Sequence, residues 1–326
     1  MKIGIVGAGA WGTAMSLVAS DNDHRIVLWA RESDVVSEIN ALHTNERFLK
    51  GAQLPTSVTA TSNLDDLRQC EMLIIATPTQ YVRSVIQQLD VQGKIVVNLA
   101  KGIEIGTHYR VSEIVEEVAN GMGCYVVLSG PSHAEEVMQR MPTTVVCACT
   151  DEDSARIVQE ALTTPAFRVY TSKDVIGVEI GGALKNIIAI AAGIIDGIGL
   201  GDNTKAALIS RGLAEIARLA EALGADVHTL YGLAGLGDLF VTCSSRHSRN
   251  RAVGERIGRG ETLQQITASM TAVAEGVTTT RAALELAASV GVELPITQKV
   301  AEILFEGQAP REAIADLMNR QPRAES

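Results

Sequence analysis

The opening run KIGIV passes directly into GAGAWG, which sets Gly7, Gly9 and Gly12 in G-x-G-x-x-G spacing between an apolar β-branched segment (residues 3–6) and a helical stretch from Trp11. Glycine at these points permits a tight turn and lets backbone N–H groups close on a diphosphate at the positive end of a helix. The spacing alone is weak. Its position at the first strand-to-helix turn of a long alternating chain makes it a prediction of a dinucleotide-binding loop.

The rest of the first half agrees with that start. Short β-branched runs recur between helical stretches: RIVLWA, MLIIATP, KIVVNLAKG, CYVVLSGPS, TTVVCACT and FRVYTS. Continuous apolar strands separated by helices predict a mostly parallel sheet covered on both faces, an α/β Rossmann-like domain. Beyond residue 174 the strand-like runs stop, and the periodicity is helical to the end of the chain. The expected division is therefore residues 1–174, a dinucleotide-binding domain, and residues 175–326, an all-α substrate and catalytic domain. A chain of 326 residues with 46% hydrophobic content has material for two cores. No Pro- or Ser-rich linker separates them, so a tight junction with a cleft is expected.

Composition excludes several classes of partner. A net charge of -10 argues against a nucleic-acid surface, so an anionic ligand needs a local cationic pocket. The five cysteines (Cys70, Cys124, Cys147, Cys149, Cys243) are scattered and lack metal-ligand spacing. They read as reduced thiols of a cytoplasmic protein, with Cys147 and Cys149 packing on a strand and no metal site expected. The N-terminus has no signal-peptide pattern. The apolar run after Lys185 is broken by Asp196 and several glycines, so no membrane span is expected.

Candidate pocket groups lie where strands end. After RIVLW the chain reads Ala30, Arg31, Glu32. A carboxylate there would hold the ribose 2′-hydroxyl of NAD, whereas Arg31 suits a 2′-phosphate, so NADPH is favoured over NADH, with Glu32 weakening the preference. Lys101 in NLAKG and the SGPSH turn (residues 129–133) follow other strands; His133 reads as a surface residue at a helix start. In the second half, Lys185 is the single charged residue between Glu179 and Asp196. Asp238 sits among glycine and apolar residues, followed by hydroxyls and arginines over residues 242–251. Ser248 or Asn250 is expected to cap a helix whose positive end, with Arg249, suits a phosphate. His247 has no evident partner.

These segments together resemble the bacterial type of NAD(P)-dependent sn-glycerol-3-phosphate dehydrogenase from end to end. The likeness is carried by GAGAWGTA, NLAKGIE, SGPSHAEEV, GALKNIIAIAAG, GLAGLGDLFVTCSSRHSRN and AVAEGVTTT. It implies a helical second domain like the C-terminal domain of 6-phosphogluconate dehydrogenase. It also implies reversible hydride transfer between NAD(P)H and dihydroxyacetone phosphate, supplying glycerophospholipid synthesis, and a homodimer. By the same resemblance Lys185 is the acid/base, and Lys101, Gly130, Ser132, Asp238, Ser248, Arg249 and Asn250 line the substrate site. The nucleotide is contacted by Gly7, Gly9, Ala10, Trp11, Gly12, Arg31, Lys101, Ala134, Arg249, Val273 and Glu275. Ala10 stands where the family often has serine, and Glu32 where a second basic residue is common; both bear on cofactor preference.

Ketone reduction explains a lysine in an apolar run. The carbonyl needs a hydride on one face and a proton donor within hydrogen-bond reach of its oxygen. Desolvation lowers a buried ammonium's pKa toward the working pH, a nearby carboxylate such as Asp238 opposes this, and Asn186 offers an amide to orient the lysine or the substrate. Two other readings stay open at this point. A related β-hydroxyacid dehydrogenase would take a carboxylate substrate on the same plan. A non-enzymatic dinucleotide sensor would have no use for Lys185, Asp238 or the RHSRN cluster.

Overall fold

The computed structural model describes residues 1–270 and 274–321. One sheet holds eight strands: β1 (Lys2–Val6), β2 (Arg25–Trp29), β3 (Val58–Thr61), β4 (Met72–Ile75), β5 (Ile95–Asn98), β6 (Cys124–Ser129), β7 (Thr143–Ala148) and β8 (Phe167–Ser172). Their order is β3-β2-β1-β4-β5-β6-β7-β8. Neighbours from β3 across to β6 pair in parallel, β7 pairs antiparallel with β6, and β8 follows β7 in parallel. Seven strands coincide with the β-branched runs. The eighth, β3, was not expected: VTAT is four residues long and lies at the sheet edge, where only Val58 and Ala60 are buried.

Ile3, Ile5, Leu73, Ile74 and Ile75 are wholly buried, as continuous apolar strands between two helical layers must be. Strand order reverses between β1 and β4, which opens a crevice beyond their carboxyl ends. The glycine loop lies on this crevice.

After β8 the chain enters a central helix, Val175–Gly197, started by Asp174, whose Oδ1 accepts the Gly177 N–H at 2.9 Å. Of its 23 residues 19 are buried. By length and hydropathy it could cross a membrane, but 94% of its apolar stretch is buried inside this fold. It is the axle of the helical half. Helices Asp202–Ala222, Arg249–Gly258, Glu275–Ser289 and Pro295–Ala301 pack around it.

The closest packing is with Arg249–Gly258. Gly193 and Gly197 on one helix meet Gly254 and Gly258 on the other. A Cβ at Gly193 would stand 1.9 Å from the Arg251 carbonyl oxygen, and one at Gly254 would stand 1.9 Å from that of Ile190. Only glycine allows this approach. It brings the start of the arginine helix alongside the helix that carries Lys185.

Candidate active site

The glycine loop has the geometry of an anion cradle. Gly7 adopts φ +118°, a conformation side chains resist, and a Cβ at Gly12 would stand 1.9 Å from the Gly7 carbonyl oxygen. A Cβ at Gly9 would meet nothing within 4 Å, so the backbone is open to a ligand there. The helix that follows, Ala10–Ser20, has no side-chain cap and no acidic residue in its first turn. Its leading N–H groups and positive dipole end are thus available to a diphosphate. Thr77 Oγ1, next to the Ala76 backbone that packs on Gly7, is buried without a partner among the described residues. These features fit a dinucleotide. Trp11 is half-buried, its ring 6.4 Å from that of Phe167.

At the end of β2 the exposed Arg31 guanidinium donates to Glu32 Oε1 at 3.0 Å. The acidic neighbour occupies the arginine that was expected to face a 2′-phosphate. An exposed pair of this kind is weak and exchanges readily.

The ends of β5 and β6 build the next wall. Asn98 closes the turn after β5 by accepting the Ala100 N–H at 2.9 Å and donating to the Ala100 carbonyl at 3.1 Å. Lys101 leaves that turn toward the helical half. After β6, Gly130 takes φ +144°, and a Cβ there would stand 2.9 Å from Val145 Cα. The Gly130 carbonyl accepts from Lys101 Nζ at 3.3 Å and from Ser132 Oγ at 2.9 Å.

Lys101 and Lys185 converge on one carboxylate. Asp238 is buried at the start of helix Asp238–Ser244; its Oδ2 accepts from Lys101 Nζ at 2.6 Å and its Oδ1 accepts a short hydrogen bond from Lys185 Nζ. Lys185 also donates to Thr242 Oγ1 at 2.8 Å, and Thr242 in turn donates to the Asp238 carbonyl at 2.6 Å. Lys185 is 6% exposed and Asp238 1%. Burial first, with the Lys101 charge beside it, lowers the Lys185 pKa to about 8 against the pull of Asp238. Desolvation outweighs the carboxylate. For Asp238, burial works upward, but the two ammonium groups hold its pKa below the usual carboxylate value.

Asn186 donates to the Lys101 backbone carbonyl at 3.4 Å, so its amide orients the lysine's own loop. Ser248 caps helix Arg249–Gly258 by accepting the Arg251 N–H at 3.2 Å. Asn250 is no cap. Its Oδ1 accepts the Gly276 N–H at 2.9 Å and joins two helices. Arg249 is exposed at the first helical position, and its charge reaches the carboxyl of Glu275. Glu275 Oε1 accepts from Thr79 N at 2.9 Å and from Thr79 Oγ1 at 3.1 Å, across the junction of the two halves. Ala134 is buried at the start of its short helix. Val273 lies outside the described residues.

His133 departs from its expected place at the surface. Its Nε2 is buried without a partner among the described residues, its ring lies 5.9 Å from that of His247, and burial and the Lys185 charge lower its pKa. His247 thereby gains the partner that the sequence did not reveal. The Ser129 hydroxyl is also buried without a partner among the described residues, 3.1 Å from where a Cβ on Gly182 would stand. Thr242 counted in the sequence only as one hydroxyl of the 242–251 cluster, and its contact with Lys185 was not foreseen, although its i,i+4 spacing from Asp238 puts both on one helix face.

Comparison with known proteins identifies relatives along the whole chain. Residues 2–155 match the N-terminus of NAD-dependent glycerol-3-phosphate dehydrogenase, and residues 174–315 match its C-terminus. The glycerol-3-phosphate dehydrogenase [NAD(P)+] of Chlorobium phaeobacteroides is 50% identical over 331 residues, covering 100% of this chain and 99% of the relative. That of Geobacillus thermodenitrificans is 50% identical over 330 residues, with 99% and 96% covered. The crystal structure of glycerol-3-phosphate dehydrogenase from Coxiella burnetii superposes with a TM-score of 0.92 at 37% identity, covering 98% of this chain and 99% of that one.

Proposed function

Because the chain belongs to the NAD-dependent glycerol-3-phosphate dehydrogenase family, we propose that it reduces dihydroxyacetone phosphate reversibly to sn-glycerol 3-phosphate, with Lys185 as proton donor. The observation that carries this reading is the buried Asp238 shared by Lys185 from the helical half and Lys101 from the sheet half. A dinucleotide sensor has no use for such a group.

When bound, the reduced nicotinamide supplies the hydride. Lys185 supplies the proton to the ketone oxygen, poised by a pKa of about 8 so that it gives a proton in one direction and accepts it in the other. Asp238 and Thr242 fix the ammonium, and Lys101 adds positive charge beside the oxygen as it becomes an alkoxide. The substrate's phosphate docks at Arg249, Ser248 and the helix they begin, with Asn250, Gly130 and Ser132 completing the wall. Gly7, Gly9, Ala10, Trp11, Gly12, Arg31, Ala134, Arg249 and Glu275 face the nucleotide.

Three finer points belong to the same proposal. The division into two domains falls between residues 174 and 175, where β8 has ended at Ser172 and the central helix begins. NADPH is used at least as well as NADH, through Arg31. The protein works in the cytoplasm as a homodimer and supplies glycerophospholipid synthesis, as its resemblance to the bacterial enzymes implies; sedimentation measures the assembly.

The deciding experiment follows the loss of reduced-nicotinamide absorbance with dihydroxyacetone phosphate or unphosphorylated dihydroxyacetone, with NADPH or NADH. Turnover is expected with the phosphorylated ketone and strongly diminished without the phosphate. Equal kcat/KM for the two ketones refutes the phosphate assignment, and a tenfold NADH preference (about 1.4 kcal/mol) shows that Glu32 overrides Arg31.

A further inference from the structure

Glu179 stands six residues before Lys185 on the same helix, 8% exposed in an otherwise apolar stretch. Among the described residues four hydrogen bonds reach its carboxylate, all from the sheet half. Oε1 accepts from Ser112 N at 2.8 Å and Tyr125 OH at 2.5 Å, while Oε2 accepts from Ser112 Oγ at 2.6 Å and Arg110 Nη1 at 2.8 Å. Burial pushes this carboxyl's pKa upward while Arg110 and the hydrogen bonds work against it.

A buried carboxylate is costly to desolvate, and apolar side chains of similar volume join two surfaces as well or better. What ions and hydrogen bonds add is direction. Ser112 lies in the first turn of helix Val111–Val118, so an acid from the other half of the protein meets that helix's free N–H groups. Tyr125 is on β6, which pairs with β5; those two strands lead to the Gly130 turn and to Lys101. The carboxylate therefore fixes the central helix in rotation and in height against the strands that carry the other half of the site. Six helical residues rise about 9 Å, a short and rigid arm from this anchor to the Lys185 backbone.

We propose that Glu179 is a positioning residue for the reaction: docked on Arg110, Ser112 and Tyr125, it sets where Lys185 meets the substrate oxygen. The assignment rests on the reading of Lys185 as proton donor. A misplacement of about 1 Å costs on the order of a hundredfold in rate, so the anchor's effect belongs in kcat.

The test compares Glu179→Ala, Glu179→Gln and Tyr125→Phe. In Glu179→Ala, kcat with dihydroxyacetone phosphate is expected to fall roughly 10- to 100-fold, while the NADPH dissociation constant, read by fluorescence, stays within about twofold because the glycine loop is untouched. Glu179→Gln keeps an oxygen that accepts from Ser112 and Tyr125 and is expected to restore most of the turnover. Tyr125→Phe removes one donor without altering packing, lowers kcat severalfold, and serves if Glu179→Ala does not fold. A lowered melting temperature with kcat per folded site within twofold of the parent in Glu179→Ala, or in Tyr125→Phe where Glu179→Ala does not fold, overturns the proposal. Retained turnover in Lys185→Met defeats the underlying reading instead, and so the two failures are distinguishable.

Discussion

As the proposed proton donor, Lys185 carries opposite consequences for the two directions of the reaction. Ketone reduction needs the ammonium, so kcat/KM for reduction is expected to fall as pH rises through about 8, and kcat/KM for alcohol oxidation to rise and level off over the same interval. Asp238→Asn removes the carboxylate that raises this pKa and should move both limbs toward acid. Pre-steady-state or initial-rate profiles in both directions check this; an unmoved limb removes Lys185 from the titration. The same shift enters stability with a definite sign. The folded pKa lies below the ordinary 10.5, so the folded state binds fewer protons between about pH 8 and 10.5. The destabilisation from burying this charge is full below about 8 and fades as pH rises to 10.5. Lys185→Met keeps the stem but deletes the ammonium, and kcat should fall at least roughly a hundredfold with NADPH affinity nearly unchanged. Turnover within threefold of the parent would pass the role to Lys101.

At the level of elements, the helix pair Val175–Gly197 and Arg249–Gly258 sets the distance from Lys185, the proposed proton donor, to Arg249 at the proposed phosphate end of the site. Gly254→Ala places a Cβ against the Ile190 carbonyl oxygen. The helices must separate, and a net destabilisation of about 1–3 kcal/mol is expected despite alanine's better helix propensity. A urea midpoint that falls with an unchanged slope verifies it, as does a raised KM for the phosphorylated ketone, because Arg249 moves with the helix. A midpoint at or above the parent's contradicts the close-contact account. The small-xxx-small spacing at residues 193/197 and 254/258 is visible in the sequence, but which two segments pair is not. The same limit governs the rest. Seven strands were legible because long β-branched runs announce themselves, whereas β3 has four residues and one wet face. Strand direction leaves no trace in such runs, so the antiparallel β6 and β7 pairing came only from the fold. The glycine loop, Lys185, Asp238 and Ser248 were legible from local pattern. Thr242 and the histidine contact were not, since their meaning lies in partners brought close by folding: Lys185 is 57 positions from Thr242.

For the whole molecule, the cross-ties of Glu179, Asp238 and Glu275 predict that both halves unfold together. Both tryptophans, Trp11 and Trp29, belong to the sheet half, while most of the helical residues, and so most helical ellipticity, lie past residue 174. Tryptophan fluorescence and far-ultraviolet circular dichroism should therefore give coincident denaturation midpoints, and separated midpoints would show independently stable halves. The burial of Val175–Gly197 also has a consequence during synthesis. This apolar helix leaves the ribosome about sixty residues before the end of helix Arg249–Gly258, the element that packs most closely on it. At about 5–20 residues per second, the interval is roughly 3–12 s. For that time the nascent chain carries a segment of membrane-spanning length and hydropathy without its cover. Lys185, the proposed proton donor, sits near its middle, and one charge there is also what weakens its partition into a bilayer while the rest of the protein is being made.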